Sequence, residues 1–590
     1  MRIFLLVTFL ACGFLACNSD QKSGAAQTKN QALDTLFSQY WEERMQLFPL
    51  HATAFGDNRY NDQLPITICD SYREKTKKFY ESYLSKVEKI KADLSDEDQL
   101  SKELFVYELK NNLDALKFST HLMPINQFWS FTIEFPQLGS GSGNQPFKTV
   151  KDYDNFLSRM KAFPAWADTA IANMKKGIAQ GYILPKVLAE KVIPQLKGVL
   201  TIDPTNCIFY GPIKNFPSDI SATDKKRLEN AYFFQIANSI IPAYSKLSKF
   251  MSSEYLPACR ETHGISSLPN GKEYYQYLIQ NFTTTNLSPD SIYQLGLQQV
   301  AYLKSEMEKV KTQVKFEGDL PAFFNYVNTD KQFYPFNTPK EVLDSFWAIK
   351  KIEDQYLNKL FESSPKTKFE IRQTEAFRAA SASAEYNPGS EDGTRPGVFY
   401  VPILNPKKFN IVGMETLFLH EAIPGHHYQI SLQQENNTLP KFRKFLDYSA
   451  YSEGWALYTE TLGKDLGLYG NPYQYLGHLS DAMHRAIRLV VDVAIHTKGM
   501  KREEAIAYMM ANERISEEEA TAEIERYMAI PGQALSYKIG QITIMRMKEK
   551  YQKQLGDKFN LPAFHTQLLD GGSMPLEVLE KKLAVWAKRY

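Results

Sequence analysis

Three imidazoles and a carboxylate fall within the eight residues His420-Glu421-Ala422-Ile423-Pro424-Gly425-His426-His427, a density of metal-binding groups found nowhere else in the chain. Two histidines one helical turn apart, with a glutamate beside the first, form a zinc-hydrolase arrangement: the imidazoles hold the ion and the carboxylate takes a proton from water. Here the spacing departs from that pattern. The position four residues after His420 is Pro424, and the next histidine comes six residues on. A regular helix would carry that residue about 600° round and ~9 Å along the axis, too far to share an ion. Proline lacks the N–H and clashes with the carbonyl four residues back, while glycine accepts otherwise strained dihedrals. The expectation is therefore a helical bulge that absorbs two residues and swings His426 back towards His420. His427 competes for the same role, since in an unbroken helix it shares the face of His420, though about 10 Å away. The plain alternative is ionic decoration of a surface helix. Met414, Leu417, Phe418 and Leu419 argue for a buried one instead, where an unpaired carboxylate is costly.

The elements that must position these groups are mostly helices. Apolar residues recur at helical spacing from Leu33 to about Met123, with Ser95 and its acidic followers as capping residues, and again from Ser288 to Phe316 and Pro339 to Leu360. Residues 150–200 read as two helices, Tyr153 to Lys161 and Trp166 to Gln180, before a break at Gly181 and Pro185; residues 222–256 read as helical too. Past Lys366 the pattern changes. Phe369 to Arg372 alternates like a strand, and Gly397 to Pro402 is a second strand suited to a sheet edge, where it would serve either as a plain hairpin or as a template for an extended peptide. A helix from Asp481 to His496 is apolar on most sides, with one polar stripe of His484, Arg488, Asp492 and His496.

Several segments together resemble one family. HEAIPGHHYQ (420–429), SAYSEGWALYTE (449–460), RLVVDVAIH (488–496), PGQALSYKIG (531–540), DGTRPGVFYV (392–401) and FPLHATAFGDNRYND (48–62) look like the bacterial domain of unknown function 885 family, which is similar to zinc peptidases of the gluzincin type. The resemblance implies a mainly α, two-lobed metallopeptidase-like fold with a small sheet beside the metal helix. It implies one zinc ion held by two histidines and a distant glutamate, for which Glu453 is the candidate, against a buried salt bridge. Glu460, seven residues on, is placed to accept an imidazole N–H. Glu421 is then the general base, and Tyr537 the donor to the oxyanion of a tetrahedral intermediate, as a late tyrosine or histidine is in similar peptidases. Arg485 or Arg488 would bind a substrate carboxylate and His496 orient a neighbour; the alternative for Arg488 is an internal pair with Asp492. The resulting expectation is a zinc hydrolase acting on peptides. A lipoprotein that binds peptides or a partner without catalysis, and a metal hydrolase of another amide or ester, are the rivals.

The amino terminus sets the location. Residues 1–17 carry one positive charge and then an apolar stretch too short to anchor in a bilayer, and they end Leu15-Ala16-Cys17, resembling a lipoprotein cleavage box with Cys17 as the lipidated residue. An ordinary signal peptide, or cleavage at Cys12, is the alternative. Residues 18–30 would form a flexible tether, 31–365 a helical amino-terminal region and 366–590 the catalytic region of an exported, membrane-anchored bacterial lipoprotein, periplasmic or at the cell surface. Length allows about two to four domains, and 43% hydrophobic and 13% aromatic residues suffice for a large core. A net charge of +2 with no basic run argues against nucleic acid as a partner. Beyond the signal only Cys69, Cys207 and Cys259 remain; a Cys207–Cys259 bridge is the one pairing suggested.

Overall fold

Helices account for nearly all regular structure in the computed structural model, which describes residues 30–374, 383–391, 393 and 395–590. The signal segment, Cys17 and the tether up to residue 29 lie outside these, as do Asp392 and Thr394 of the turn before the second expected strand. Local signals place many helix starts. Asn30 caps Gln31–Leu47 by accepting from the Ala32 and Leu33 amides, and Ser95 caps Asp96–Ala115 through the Asp98 amide. The two helices expected between 153 and 180 are one, Val150–Gln180, running through Pro164. An interior proline costs about 3 kcal/mol. Phe156, Met160, Phe163, Ala167, Ala170 and Met174, all fully buried on one face, outweigh that at roughly 1.5–3 kcal/mol for each large side chain. The helix ends at Gly181, in the left-handed region at φ 80°.

Three short strands form the sheet, in the order β1 (Phe369–Gln373), β3 (Gly397–Val401), β2 (Glu385–Asn387). β3 pairs parallel with β1 and antiparallel with β2, so the segment expected at an edge is the central strand. Its Val398, Phe399 and Val401 are buried, and Pro402 lies beyond the last paired residue, where its missing N–H breaks no ladder. The parallel pairing also excludes a β1–β3 hairpin. β2 has only three residues, too few for alternation to reveal it.

The polar-striped helix is longer than expected, Pro472–Thr497, starting from Asn471, which accepts from the Tyr473 amide. It packs against the helix that carries His420. Ile487, Leu489, Val490, Val491, Val493 and Ile495 are all fully buried, which contributes on the order of 10 kcal/mol as an upper figure. Helix Pro289–Gln313 lies along it at Gly296, where a Cβ would come within 2.8 Å of Leu489 and Val490 side chains. Apolar clusters join distant parts of the chain: one holds Leu33 to Leu109 together with Phe336 to Ala587. Cys207 and Cys259 are not bridged; the Cys207 thiol, buried in a turn, points to the Val199 carbonyl. Among the described residues no helix is long and apolar enough to cross a membrane.

Candidate metal centre

His420 ends helix Met414–Glu421, whose Met414, Phe418 and Leu419 are buried. The helix then stops instead of bulging, and a second helix, His426–Glu435, begins after four intervening residues. Pro424 cannot continue the helical hydrogen bonds, and its carbonyl accepts from the Trp455 indole N–H at 2.8 Å. Gly425 lies directly on the His420 carbonyl: a Cβ there would be 1.9 Å from that oxygen. Only glycine allows the approach, and the approach folds His426 back over His420, their ring centroids 4.9 Å apart and their planes nearly perpendicular.

The third group comes from helix Ser449–Glu460. That helix crosses Leu535–Leu555 with Gly454 against Gly540, a Cβ on Gly454 falling 2.6 Å from the Gly540 backbone, so two glycines set its depth. Glu453 Oε2 stands 3.4 Å from His420 Nε2 and 3.5 Å from His426 Nε2. The oxygen is buried and makes no hydrogen bond among the described residues. Donor atoms of a tetrahedral zinc site, each about 2.0–2.1 Å from the ion, lie about 3.4 Å from one another. Among the described residues His420, His426 and Glu453 are the one group of three such side chains whose ligand atoms all lie within 4.8 Å. Two imidazoles and a carboxylate with lone pairs converging at that spacing fit zinc, with a fourth position left for water. His420 Nδ1 is 2.8 Å from Glu460 Oε1; it donates to that fully buried carboxylate, and in the neutral ring this tautomer turns the Nε2 lone pair towards Glu453.

The electrostatics agree with a site that draws in positive charge. Burial alone would lower His420, but the carboxylates of Glu453 and Glu460 outweigh it and push it up to about 10. Burial alone would raise Glu453, and His420 and His426 instead hold it well below the usual carboxylate range. Glu421 is half-buried, and burial pushes its carboxyl above the usual carboxylate value.

His427 faces away from this centre. Its Nδ1 accepts from Tyr386 on β2 at 2.9 Å, its ring packs on Phe369 of β1, and burial lowers it to about 4, so it is a neutral tie between helix and sheet. Of the two competing histidines, His426 is the one beside His420 and Glu453.

Residues 49–583 match the model of a family described as bacterial proteins of unknown function, DUF885. The chain belongs to this family. It is also similar to a candidate lipoprotein from Colwellia psychrerythraea whose structure is solved, at 27% identity and a TM-score of 0.88, over 95% of this chain and 99% of that one. A second solved structure, a candidate lipoprotein of unknown function from Shewanella oneidensis, shares the fold at 20% identity and a TM-score of 0.75, over 94% and 99%. No curated protein matches.

The remaining residues read as functional in this family member are held as follows. Arg485 Nη1 meets Asp481 Oδ1 at 3.1 Å, and its charge acts on Glu421, tying it to the metal centre. Arg488 does not pair with Asp492. It donates to Tyr527 Oη and to Glu523 Oε2, both at 3.0 Å, and lies 4.5 Å above the Tyr537 ring. Its partners come from helix Glu517–Ala529, beyond the reach of spacing arguments within one helix. Asp492 instead accepts from Tyr275 Oη at 2.5 Å and from the Gly532 amide. His496 orients no catalytic group: Nδ1 accepts from the Ile265 amide and Nε2 donates to the Tyr527 carbonyl, each at 3.1 Å. Tyr537 Oη accepts from Arg526 Nη2 at 3.3 Å.

Two groups at the site escaped sequence reasoning. Asp447, exposed in the loop before Ser449–Glu460, has its carboxyl within reach of the Glu453 and His426 charges, and desolvation by the surrounding protein pushes it up. Lys538 is buried with its ammonium on Gln541 Oε1 at 2.7 Å, and burial lowers it to about 8. A lysine in an otherwise apolar helix face was the available signal for the second; the first had none.

Proposed function

We propose that this protein is a zinc-dependent hydrolase, and specifically a metallopeptidase. The observation that carries this reading is the buried, unpartnered Glu453 oxygen placed at ligand spacing from two imidazole nitrogens. A zinc ion held by His420, His426 and Glu453 would polarise a scissile carbonyl and lower the pKa of a water beside it. Glu421, next to His420 in the chain, takes the proton of that water and hands it to the leaving amine. Glu460 keeps His420 in the tautomer that presents Nε2. Tyr537 donates its hydroxyl proton to the oxygen that becomes negative as the carbonyl carbon turns tetrahedral; Arg526, bonded to the same hydroxyl, orients it. Gly454 and Gly540 hold the two helices so that Ser449 Oγ meets Ser536 Oγ at 2.7 Å.

We further infer that Cys17 carries the lipid that tethers the protein to a membrane, in keeping with the two candidate lipoproteins that share its fold. Intact mass of membrane-extracted protein tests this. A mature chain beginning at any residue but Cys17 overturns it. The activity is tested by incubating zinc-loaded protein with a peptide mixture and reading the products by mass spectrometry, with Glu421→Gln as control. New termini that appear with the native protein and not with the variant are expected. No cleavage, or equal cleavage by both, refutes the assignment.

A further inference from the structure

Three guanidiniums, Arg485, Arg488 and Arg526, make ion-pair contacts with two carboxylates, Asp481 and Glu523; His484 takes up Glu513 at 2.9 Å and also approaches Glu523 at 3.4 Å. Among these ion-pair contacts the guanidiniums outnumber the carboxylates by one. Each guanidinium also keeps an N–H that is buried and has no hydrogen-bond partner among the described residues: Arg485 Nε, Arg488 Nη1 and Arg526 Nε. Buried donors left unpaired are costly, so the cluster holds more donor capacity than the protein itself uses.

The three are not equivalent. Arg488 is locked by two bonds of 3.0 Å and covered by the Tyr537 ring. Arg526 is held more loosely and is half-buried. It reaches Glu523 at 3.3 Å, Gln533 Oε1 at 2.9 Å and Tyr537 Oη at 3.3 Å. Phe128, 46% exposed, covers one face of the guanidinium from a loop in which Trp129 is also exposed. A planar cation with its face against an aromatic ring and its edge shared only with neutral oxygens and one long carboxylate contact suits an incoming carboxylate, which it can bind with two parallel hydrogen bonds.

We propose that Arg526, with Gln533 and Tyr537 beside it, receives the free carboxylate of a peptide's last residue, and that the metal centre removes such residues one at a time. This rests on the metallopeptidase reading. The length of the cut follows from reach: one residue of extended chain spans about 3.3–3.6 Å, and Arg526 stands 3.3 Å from the hydroxyl assigned to the carbonyl oxygen under attack. The bond broken is then the last one. Water's oxygen bonds to that carbonyl carbon, the C–N bond breaks, and both water protons finish on the departing nitrogen. The products are a shortened peptide carboxylate and one free amino acid with its ammonium.

Binding and cutting are measured separately, so that failure of the two readings can be told apart. Zinc-loaded Glu421→Gln protein is titrated calorimetrically with an N-acetylated tripeptide ending in phenylalanine, as the free acid and as the carboxamide. The free acid is expected to bind at least roughly ten-fold tighter, the usual worth of a charged hydrogen bond, and Arg526→Gln is expected to bring it down to the level of the amide. Equal binding of acid and amide, or binding of neither, overturns the proposal whether or not the native enzyme cuts peptides. With native protein the free acid should release phenylalanine alone. Release of a dipeptide, or cleavage that depends on a free amino end, overturns it as well; absence of all cleavage together with carboxylate-selective binding would sink the hydrolase reading and keep Arg526 as an anion receptor.

Discussion

At His496 both ring nitrogens are occupied by backbone and the nearby Asp492 is matched by Tyr275 and Gly532. At His420 one nitrogen is occupied by Glu460, while the other joins His426 and Glu453 in facing one point with no hydrogen bond among them. Both clusters combine histidine with carboxylate in a buried setting, and the Pro472–Thr497 helix supplies the first and packs against the element bearing the second. Burial of polar groups costs free energy unless each finds a partner. The His496 knot meets that demand within the protein and so works as a fastening between segments. The His420 cluster does not, and the imbalance is what a metal ion would correct.

The sharpest way to break this contrast is to remove a converging lone pair. Glu453→Gln and His420→Ala should each abolish stoichiometric zinc, read by elemental analysis, and with it the rise in melting temperature that zinc produces. That rise corresponds to about 2.7 kcal/mol for native protein at a hundred times the dissociation constant. If either variant keeps its full zinc, the two clusters are alike after all. Glu421→Gln should leave zinc content unchanged and lower turnover by about 10²–10⁴-fold, the ordinary contribution of a general base; a fall in metal content would recast Glu421 as a ligand. A smaller effect is expected from Glu460→Gln, with zinc affinity reduced roughly 10–100-fold in a competition titration against a chromogenic chelator.

The closed cluster has its own signature in pH. Burial lowers His496 to about 3, against 6.5 for the free side chain. The neutral ring is the form the folded protein favours, so its contribution to stability is complete above pH 6.5 and is lost as pH falls from there towards 3. Thermal melts over that window should show a shallower decline in His496→Gln than in native protein, with zinc content the same in both. An unchanged slope would mean that the knot is not closed.

How much of this was legible in the sequence varies with the range of the interaction. The types and order of His420, Glu421 and His426 announce metal chemistry, because ligand identity is a property of the side chain. That the chain between them breaks into two helices, where a bulge is expected, depends on Gly425 touching the His420 carbonyl and on Trp455 from another helix holding Pro424. The polar stripe of the long helix was visible by its four-residue period. Its partners were not: Arg488 pairs with Glu523 and Tyr527 across a gap of 35 to 39 residues. The same limit explains the strand at 397–401, whose place at the centre of the sheet is set by a three-residue neighbour too short to leave a pattern.

Residue chemistry and short-range periodicity therefore determined, from sequence alone, a helical chain with side chains of metal-ligand type gathered near position 420. Tertiary structure decided which histidine stands beside His420, which carboxylate faces the pair, and which arginines are left with a spare donor. Those choices rest on distances between side chains far apart along the chain, and such distances are set by how glycines let helices approach and by which polar atoms burial leaves unmatched.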